Sequence, residues 1–265
     1  MNMKIKIYGL GWVGKAMKSL FPDAWVHDPD QGYVDVRKAD IAFVCVPTPT
    51  FLPHGDFDDE FDGSLDTKIV EQVVKDSQED LIVIRSTVMP GTCDRLSKKY
   101  KKNIIFSPEY LGETANHPMT DQKARPFIIL GGRPENTRKA IELYQTVYNA
   151  NVTIRQVTSI EAEVIKLTEN RAIAFKVGQC QELYDVCEKA GLDYYTIRDA
   201  VYGDDPRMNL WFTFVYPDKR GFNSSKCLRK DVPAWCAWAE SIGANADLTK
   251  LIVEKSNEYE KNQIN

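Results

Sequence analysis

At 265 residues, with 43% hydrophobic and 27% charged side chains, the chain has the composition of a soluble globular protein of one or two domains. A net charge of −4 offers no basic footprint for nucleic acid. The longest apolar runs, such as 41–46, are too short to cross a bilayer. The start runs directly into a strand without a signal-peptide core. Six cysteines, at 45, 93, 180, 187, 227 and 236, form no CxxC pair and the three histidines are scattered. A zinc site therefore has little support, and the irregular cysteine spacing reads as reduced and cytoplasmic. Cys45 and Cys180 lie in apolar segments and read as small core residues.

Residues 4–8 alternate as a short strand and run into Gly9-Leu10-Gly11-Trp12-Val13-Gly14. A helix over 15–20, a second strand over 24–27 and then Asp28 follow. Strand, glycine turn, helix, strand and acid about 20 residues on is the dinucleotide-binding order. The glycines allow a tight turn and close approach of a diphosphate, and the helix N-terminus turns amide donors towards it. Trp12 and Val13 lie within that turn. Asp28 is placed to accept from an adenosine ribose hydroxyl, and its charge would repel a 2′-phosphate. NAD is therefore expected rather than NADP.

The run 41–46 is continuously apolar, as in a buried parallel strand, and ends in Pro47-Thr48-Pro49. A polar loop over 50–66 and a helix over about 67–75 lead to a strand at 81–84 that ends before Thr87. Further strands are expected at 103–106, ending in Ser107-Pro108-Glu109, at 127–130 and at 152–157. Thr48, Thr87 and Glu109 thus fall at carboxyl strand ends, the ligand edge of an open α/β sheet. The expected class is α/β, a Rossmann-type, doubly wound and mostly parallel sheet over residues 1–157.

Residues 158–265 read as an all-helical domain. Thr158 and Glu161 have capping-box spacing, and the helix they start can run to Ala190 before Gly191. About 32 residues at 1.5 Å each give roughly 48 Å, a length that crosses a domain or forms a subunit interface. Glu163, Lys166 and Asn170 share one face of it. Its apolar positions, including Ile160, Val164, Ile165, Leu167 and Phe175, suffice for a buried seam, so a homodimer through 158–190 is expected; they serve equally as domain core. Cys227 lies among Lys226, Arg229 and Lys230, cations that favour its nucleophilic thiolate, and Asp231 follows one turn later. A last helix is expected from Asp247 to about Lys261.

These motifs, in this order, resemble the UDP-glucose/GDP-mannose dehydrogenase family across almost the whole chain. The resemblance rests on GLGWVG at 9–14, PTP at 47–49, STVMPGT at 86–92, SPEYLGE at 107–113, AEVIKLTEN at 162–170, Asp205-Pro-Arg207 and CLRKD at 227–231. It implies NAD-dependent, four-electron oxidation of a nucleotide sugar's primary alcohol to a carboxylate, as in polysaccharide biosynthesis. Cys227 would be the nucleophile, forming a thiohemiacetal and then a thioester. Lys166 and Asn170 would stabilise the oxyanion, Asp231 and Thr87 would hold the water, and Glu113 would be the base for hydrolysis. Thr48, Thr87, Glu113 and Lys230 would face NAD. Glu109, Tyr110 and Leu111 would line the sugar site with Lys166, Asn170, Gly221 and Phe222, and Arg207 would reach a partner subunit's substrate. The sequence differs from the family pattern in two places. The loop before the cysteine, 221–227, has one glycine where three are usual. The chain also ends where the family's third domain is expected, so it reads as a short form.

Two other readings stand beside this one. A two-electron hydroxyacid dehydrogenase of the 6-phosphogluconate type also places Lys and Asn four apart on a long helix but needs neither Cys227 nor Asp231. A non-catalytic, truncated NAD-binding family member needs none of the chemistry.

Overall fold

The computed structural model describes residues 3–50, 63–112 and 117–261, and these fall into two compact units. In the first, strands β1 (Ile5–Tyr8), β2 (Trp25–His27), β3 (Ile41–Val44), β4 (Leu81–Ile84), β5 (Ile104–Phe106), β6 (Phe127–Gly131) and β7 (Thr153–Val157) form one sheet. Their order is β2-β1-β3-β4-β5-β6-β7. The first five strands run parallel. At β6 the direction reverses: Phe106 pairs antiparallel with Gly131, and β7 then lies parallel to β6. Strands β3 and β4 are buried at every position, which is why their sequences, IAFV and LIVI, are unbroken apolar runs.

Four helices flank this sheet in sequence: α1 (Trp12–Leu20), α2 (Lys68–Asp76), α3 (Thr92–Tyr100) and α4 (Pro134–Tyr144). Helix α1 begins at Trp12, earlier than the sequence suggests, because Gly14 fits into its first turn. Helices α3 and α4 are additions to the sequence reading. The first is held by Cys93 and Leu96 on one buried face, and the second starts with proline at its first position, where no N–H is needed. Two apolar clusters are found among the unit's described residues. Met17, Phe21, Phe43 and Tyr144 belong to one; Val70, Val74, Leu96 and Phe106 belong to the other.

The second unit is helical. It comprises most of α5 (Ser159–Ala190), with α6 (Tyr194–Arg198), α7 (Leu228–Ser241) and α8 (Asp247–Lys261). Thr158 and Glu161 form the expected reciprocal cap: the Glu161 carboxylate accepts the Thr158 N–H at 2.7 Å and the Thr158 hydroxyl accepts the Glu161 N–H at 3.3 Å. Helix α5 stops at Gly191, whose φ is +68°. The division between the units falls after Lys166, inside α5, rather than at 157. The cause is packing, since Ala162 and Ile165 belong to the sheet unit's core. Thr50, Gly63 and Ser64 group with the helical unit, and the remainder of the expected 50–66 loop, residues 51–62, lies outside the described residues. Among the described residues no helix is long and apolar enough to cross a membrane, and no group of three or more His, Cys, Asp or Glu is placed to hold a metal ion.

Candidate active site

The three turn glycines are required for different reasons. Gly9 has φ +86°, and a Cβ there would lie 2.6 Å from the Cys45 carbonyl oxygen. A Cβ on Gly14 would lie 2.0 Å from the Gly9 oxygen. The fold itself demands both. Gly11 has an ordinary extended backbone, φ −70° and ψ −160°, and a Cβ there would meet nothing within 4 Å. Neither conformation nor packing explains this glycine, whereas a diphosphate lying against the backbone does. Helix α1 starts beside it with no side-chain cap and no acid in its first turn. Trp12 is 45% exposed and Val13 half-buried. Asp28, half-buried after β2, accepts the Leu10 N–H at 2.6 Å and the Gln31 amide at 2.8 Å, so its carboxylate braces the turn as well as marking its edge.

After β3 and β4, Thr48 is buried and Thr87 half-buried. Beside them Arg85 ends β4 fully buried, hydrogen-bonded to Ser107 at 2.9 Å and ion-paired with Glu109. Burial pushes the Glu109 carboxyl up, but Arg85 and Arg125 outweigh it and hold it at about 2. Its other oxygen accepts the amides of Tyr110 and Leu111 at 2.7 and 2.9 Å. Glu109 therefore fixes the 107–111 segment from within, and its charge is met inside the unit. The centroid of the buried Tyr110 ring lies 4.9 Å from the ammonium of Lys166, a residue 8% exposed, while Leu111 is half-buried. Glu113 lies outside the described residues.

In the sheet unit Glu163, read from the sequence only as sharing a face with Lys166 and Asn170, has a role of its own. It is fully buried and accepts the N–H groups of Gly91 and Cys93 at 2.5 and 2.8 Å, capping α3. Burial raises its carboxyl to about 7. Its position three residues before Lys166, on the same face, was the available signal.

In the helical unit Cys227 is the one exposed thiol among the six, and none is in a disulfide. It is the N-cap residue of α7, and its carbonyl accepts the Asp231 N–H at 2.9 Å. Asp231 is 1% exposed. Its carboxylate accepts from the Asn170 amide at 2.5 Å and from the Lys230 ammonium at 2.6 Å. Asn170, Asp231 and Lys230 are thus brought into one hydrogen-bonded group next to the thiol's helix end. Phe222 is placed differently from its expected substrate contact. Its ring is 3% exposed in a core with Ala174, Leu228, Val232 and Val253, and its N–H donates to the Ser256 hydroxyl at 2.8 Å. Gly221, with φ +73°, is required because a Cβ would lie 2.6 Å from the Ser256 carbonyl. Arg207 is exposed and paired with Asp205.

The family's model for its NAD binding domain matches residues 30–151, and the model for its central domain matches residues 160–259. The chain belongs to the UDP-glucose/GDP-mannose dehydrogenase family. The first match begins beyond the glycine turn and Asp28, so the turn's assignment stands on its own geometry. Among relatives, UDP-glucose 6-dehydrogenase of Rickettsia typhi is 28% identical over 232 residues, covering 84% of this chain and 50% of the relative. GDP-mannose 6-dehydrogenase of Pseudomonas aeruginosa is 28% identical over 247 residues, covering 87% and 55%. The chain spans about half the length of the curated relatives it matches. A solved UDP-glucose dehydrogenase from Pyrobaculum islandicum has the same fold, with a TM-score of 0.75 at 20% identity over 98% of this chain and 68% of that one.

Proposed function

We propose that the protein is an NAD-dependent nucleotide-sugar 6-dehydrogenase that oxidises a primary alcohol to a carboxylate through Cys227. The observation that carries this reading is the pairing of the only exposed cysteine with a buried carboxylate one helical turn later, which binds Asn170 and Lys230. Neither a two-electron dehydrogenase nor a binding module needs that group.

Gly9, Gly11, Gly14 and the start of α1 would hold the cofactor's diphosphate, and Asp28 its ribose. Thr48, Thr87, Glu113 and Lys230 would face the remainder. A cofactor held there would supply the hydride acceptor, and the four-electron oxidation would need two of them in succession. The chain's own residues do the rest. Lys166 stabilises the alkoxide as its proton leaves, and Asn170 donates to the same developing charge. The Cys227 thiolate, favoured by the amide ends of α7, adds to the aldehyde carbon. The resulting thiohemiacetal becomes a thioester when its hydride departs and its hydroxyl proton is lost. Asp231 and Thr87 orient the water that cleaves the C–S bond, with Glu113 as its base; the carboxylate leaves and the thiol is restored. Tyr110, Leu111 and Gly221 line the sugar site, Glu109 shapes it by fixing the 107–111 segment, and Phe222 shapes it by anchoring the loop after Gly221 in the core. The same reading pairs two chains along the 158–190 helix, with Arg207 reaching the partner's substrate.

The test is the NADH yield per sugar across a panel of UDP- and GDP-sugars. Two NADH and a uronate support the proposal. One NADH and a carbonyl product would make the protein a two-electron dehydrogenase, and no turnover with clear NAD binding would make it a binding module.

A further inference from the structure

We infer that Tyr110 is a positioning residue for the proposed oxidation: its ring holds the Lys166 ammonium without using up the N–H donors that the alkoxide needs. The inference rests on the proposed function and concerns the sheet unit alone. Lys166 is 8% exposed, and lysines that deep are nearly always paired with an acid. Among the described residues Lys166 has neither an ion pair nor a hydrogen bond. Its ammonium lies instead over an aromatic ring, 4.9 Å from the Tyr110 centroid.

A ring suits this task better than a carboxylate. An acid beside Lys166 would accept its N–H groups and offset its charge, and both would be lost to the developing oxyanion. An aromatic face attracts the cation electrostatically at this distance and leaves the donors open. The ring is itself anchored. The Glu109 carboxylate, ion-paired with Arg85, accepts the Tyr110 N–H at 2.7 Å. Phe127 of β6 packs against the ring with 5.0 Å between centroids. Tyr110 shares its apolar cluster with Ala162, and Ile165 packs against that cluster, so the part of α5 that carries Lys166 is seated on the same core. The Arg125 guanidinium is a second cation near the ring, farther off at 5.9 Å, and it is held by the Phe127 carbonyl at 3.0 Å.

The test combines kinetics with one spectroscopic signature. Tyr110→Leu keeps an apolar side chain and removes the ring. The kcat should fall about tenfold, the scale of one desolvated cation–π contact, while NAD affinity is kept and the KM for nucleotide sugar moves less than kcat. Tyr110→Phe, which restores the ring, should recover most of that loss. In a Lys166→Met background Tyr110→Leu should cost nothing further, because a residue that acts through Lys166 has nothing left to position. In protein carrying isotope-labelled lysine, the NMR resonance of the Lys166 ε-methylene is identified by its loss in Lys166→Met. The ring current should place it upfield of the other lysines, and Tyr110→Leu should return it to their range. The measurement on the unmodified ring stands even if Tyr110→Leu does not fold. A Lys166 resonance among those of the other lysines would overturn the inference. So would an equal kcat loss from Tyr110→Leu with and without Lys166, or a loss confined to KM, either of which would make Tyr110 a sugar contact alone. Failure of the oxidation itself reads differently, since the unmodified protein then yields no NADH from any nucleotide sugar.

Discussion

The carboxylate of Glu163 accepts the amide N–H of Gly91 at 2.5 Å across 72 positions of sequence. The contact ties the helix segment that carries Lys166 to the turn that follows Thr87, within one compact unit. It also places a buried carboxyl where its ionisation is costly. The folded protein holds that proton up to about pH 7, against an ordinary value of 4.5. Between those values the folded state binds more protons than the unfolded one. The stability this group confers is therefore full below pH 4.5 and lost as pH rises through 7. Glu163→Gln should flatten the stability profile in that window, by of order 1–3 kcal/mol relative to the unmodified protein. Urea unfolding midpoints of the two proteins between pH 4.5 and 8 check this. Parallel curves would show that Glu163 does not titrate there.

The glycine turn separates fold from function by residue. Gly9→Ala forces a positive φ on a side chain that meets the Cys45 carbonyl, and Gly14→Ala drives a Cβ into Gly9. Each should cost roughly 2 kcal/mol or more of stability. Gly11→Ala should leave the melting temperature within about 2 °C of the unmodified protein and weaken NAD binding about tenfold or more. Thermal melts together with NAD titration decide it, and a Gly11→Ala protein with unaltered NAD affinity would remove the diphosphate from that turn.

Much of this architecture was visible in the sequence because its signals are local. IAFV and LIVI read as buried parallel strands, Thr158 with Glu161 as a helix start, Gly191 as its stop, and Asp247–Lys261 as a helix in full. The missing parts depend on contacts between distant residues. Helix α3 takes its N-terminal cap from Glu163, so its start carries no cap signal of its own. Glu109 looks like a strand-end ligand until Arg85 and Arg125 are seen beside it. Phe222 sits in a loop that should be exposed, yet Ser256 and α7 bury it.

Asp28 braces the turn, and in the proposed reading it also sets cofactor choice. Asp28→Ala would remove both functions, since the Leu10 N–H loses its acceptor. Asp28→Asn keeps an acceptor oxygen and removes the charge. It should narrow the preference for NAD over NADP by relieving repulsion of the 2′-phosphate, with little loss of stability. Titration of both cofactors is the measurement, and equal affinities in the unmodified protein would show that Asp28 does not face the ribose.

Lys166 is buried with its ammonium over the Tyr110 ring, so it is not a solvent-facing cation of the helix surface. Lys166→Ala should lower kcat on the order of 10² to 10³, the usual effect of losing one oxyanion donor. Lys166→Met keeps an unbranched side chain of similar length in this buried position and should be as inactive while melting at a higher temperature than the alanine variant. An unchanged kcat in either variant would leave Lys166 a packing residue.

The covalent reading is tested most directly by where the reaction stops. Cys227 is exposed, so Cys227→Ala should fold normally and form no acid, because no thioester can form. Asp231 acts later in the proposed sequence, on the water. Its carboxylate is buried and holds both Asn170 and Lys230, so Asp231→Ala would strand the Asn170 amide and confuse stability with chemistry. Asp231→Asn is the cleaner change. It keeps an oxygen for Asn170, and the Lys230 ammonium it releases is partly exposed, with 23% of the side chain accessible. Thioester hydrolysis should then slow on the order of 10²-fold or more, as when a positioned acid–base group is lost. Sugar should accumulate on Cys227. Intact mass spectrometry after mixing with NAD and nucleotide sugar should show an acyl adduct in Asp231→Asn and none in Cys227→Ala. A normally folded, slowed Asp231→Asn protein without an adduct would move Asp231 out of hydrolysis. Full acid formation by Cys227→Ala would end the thioester mechanism altogether.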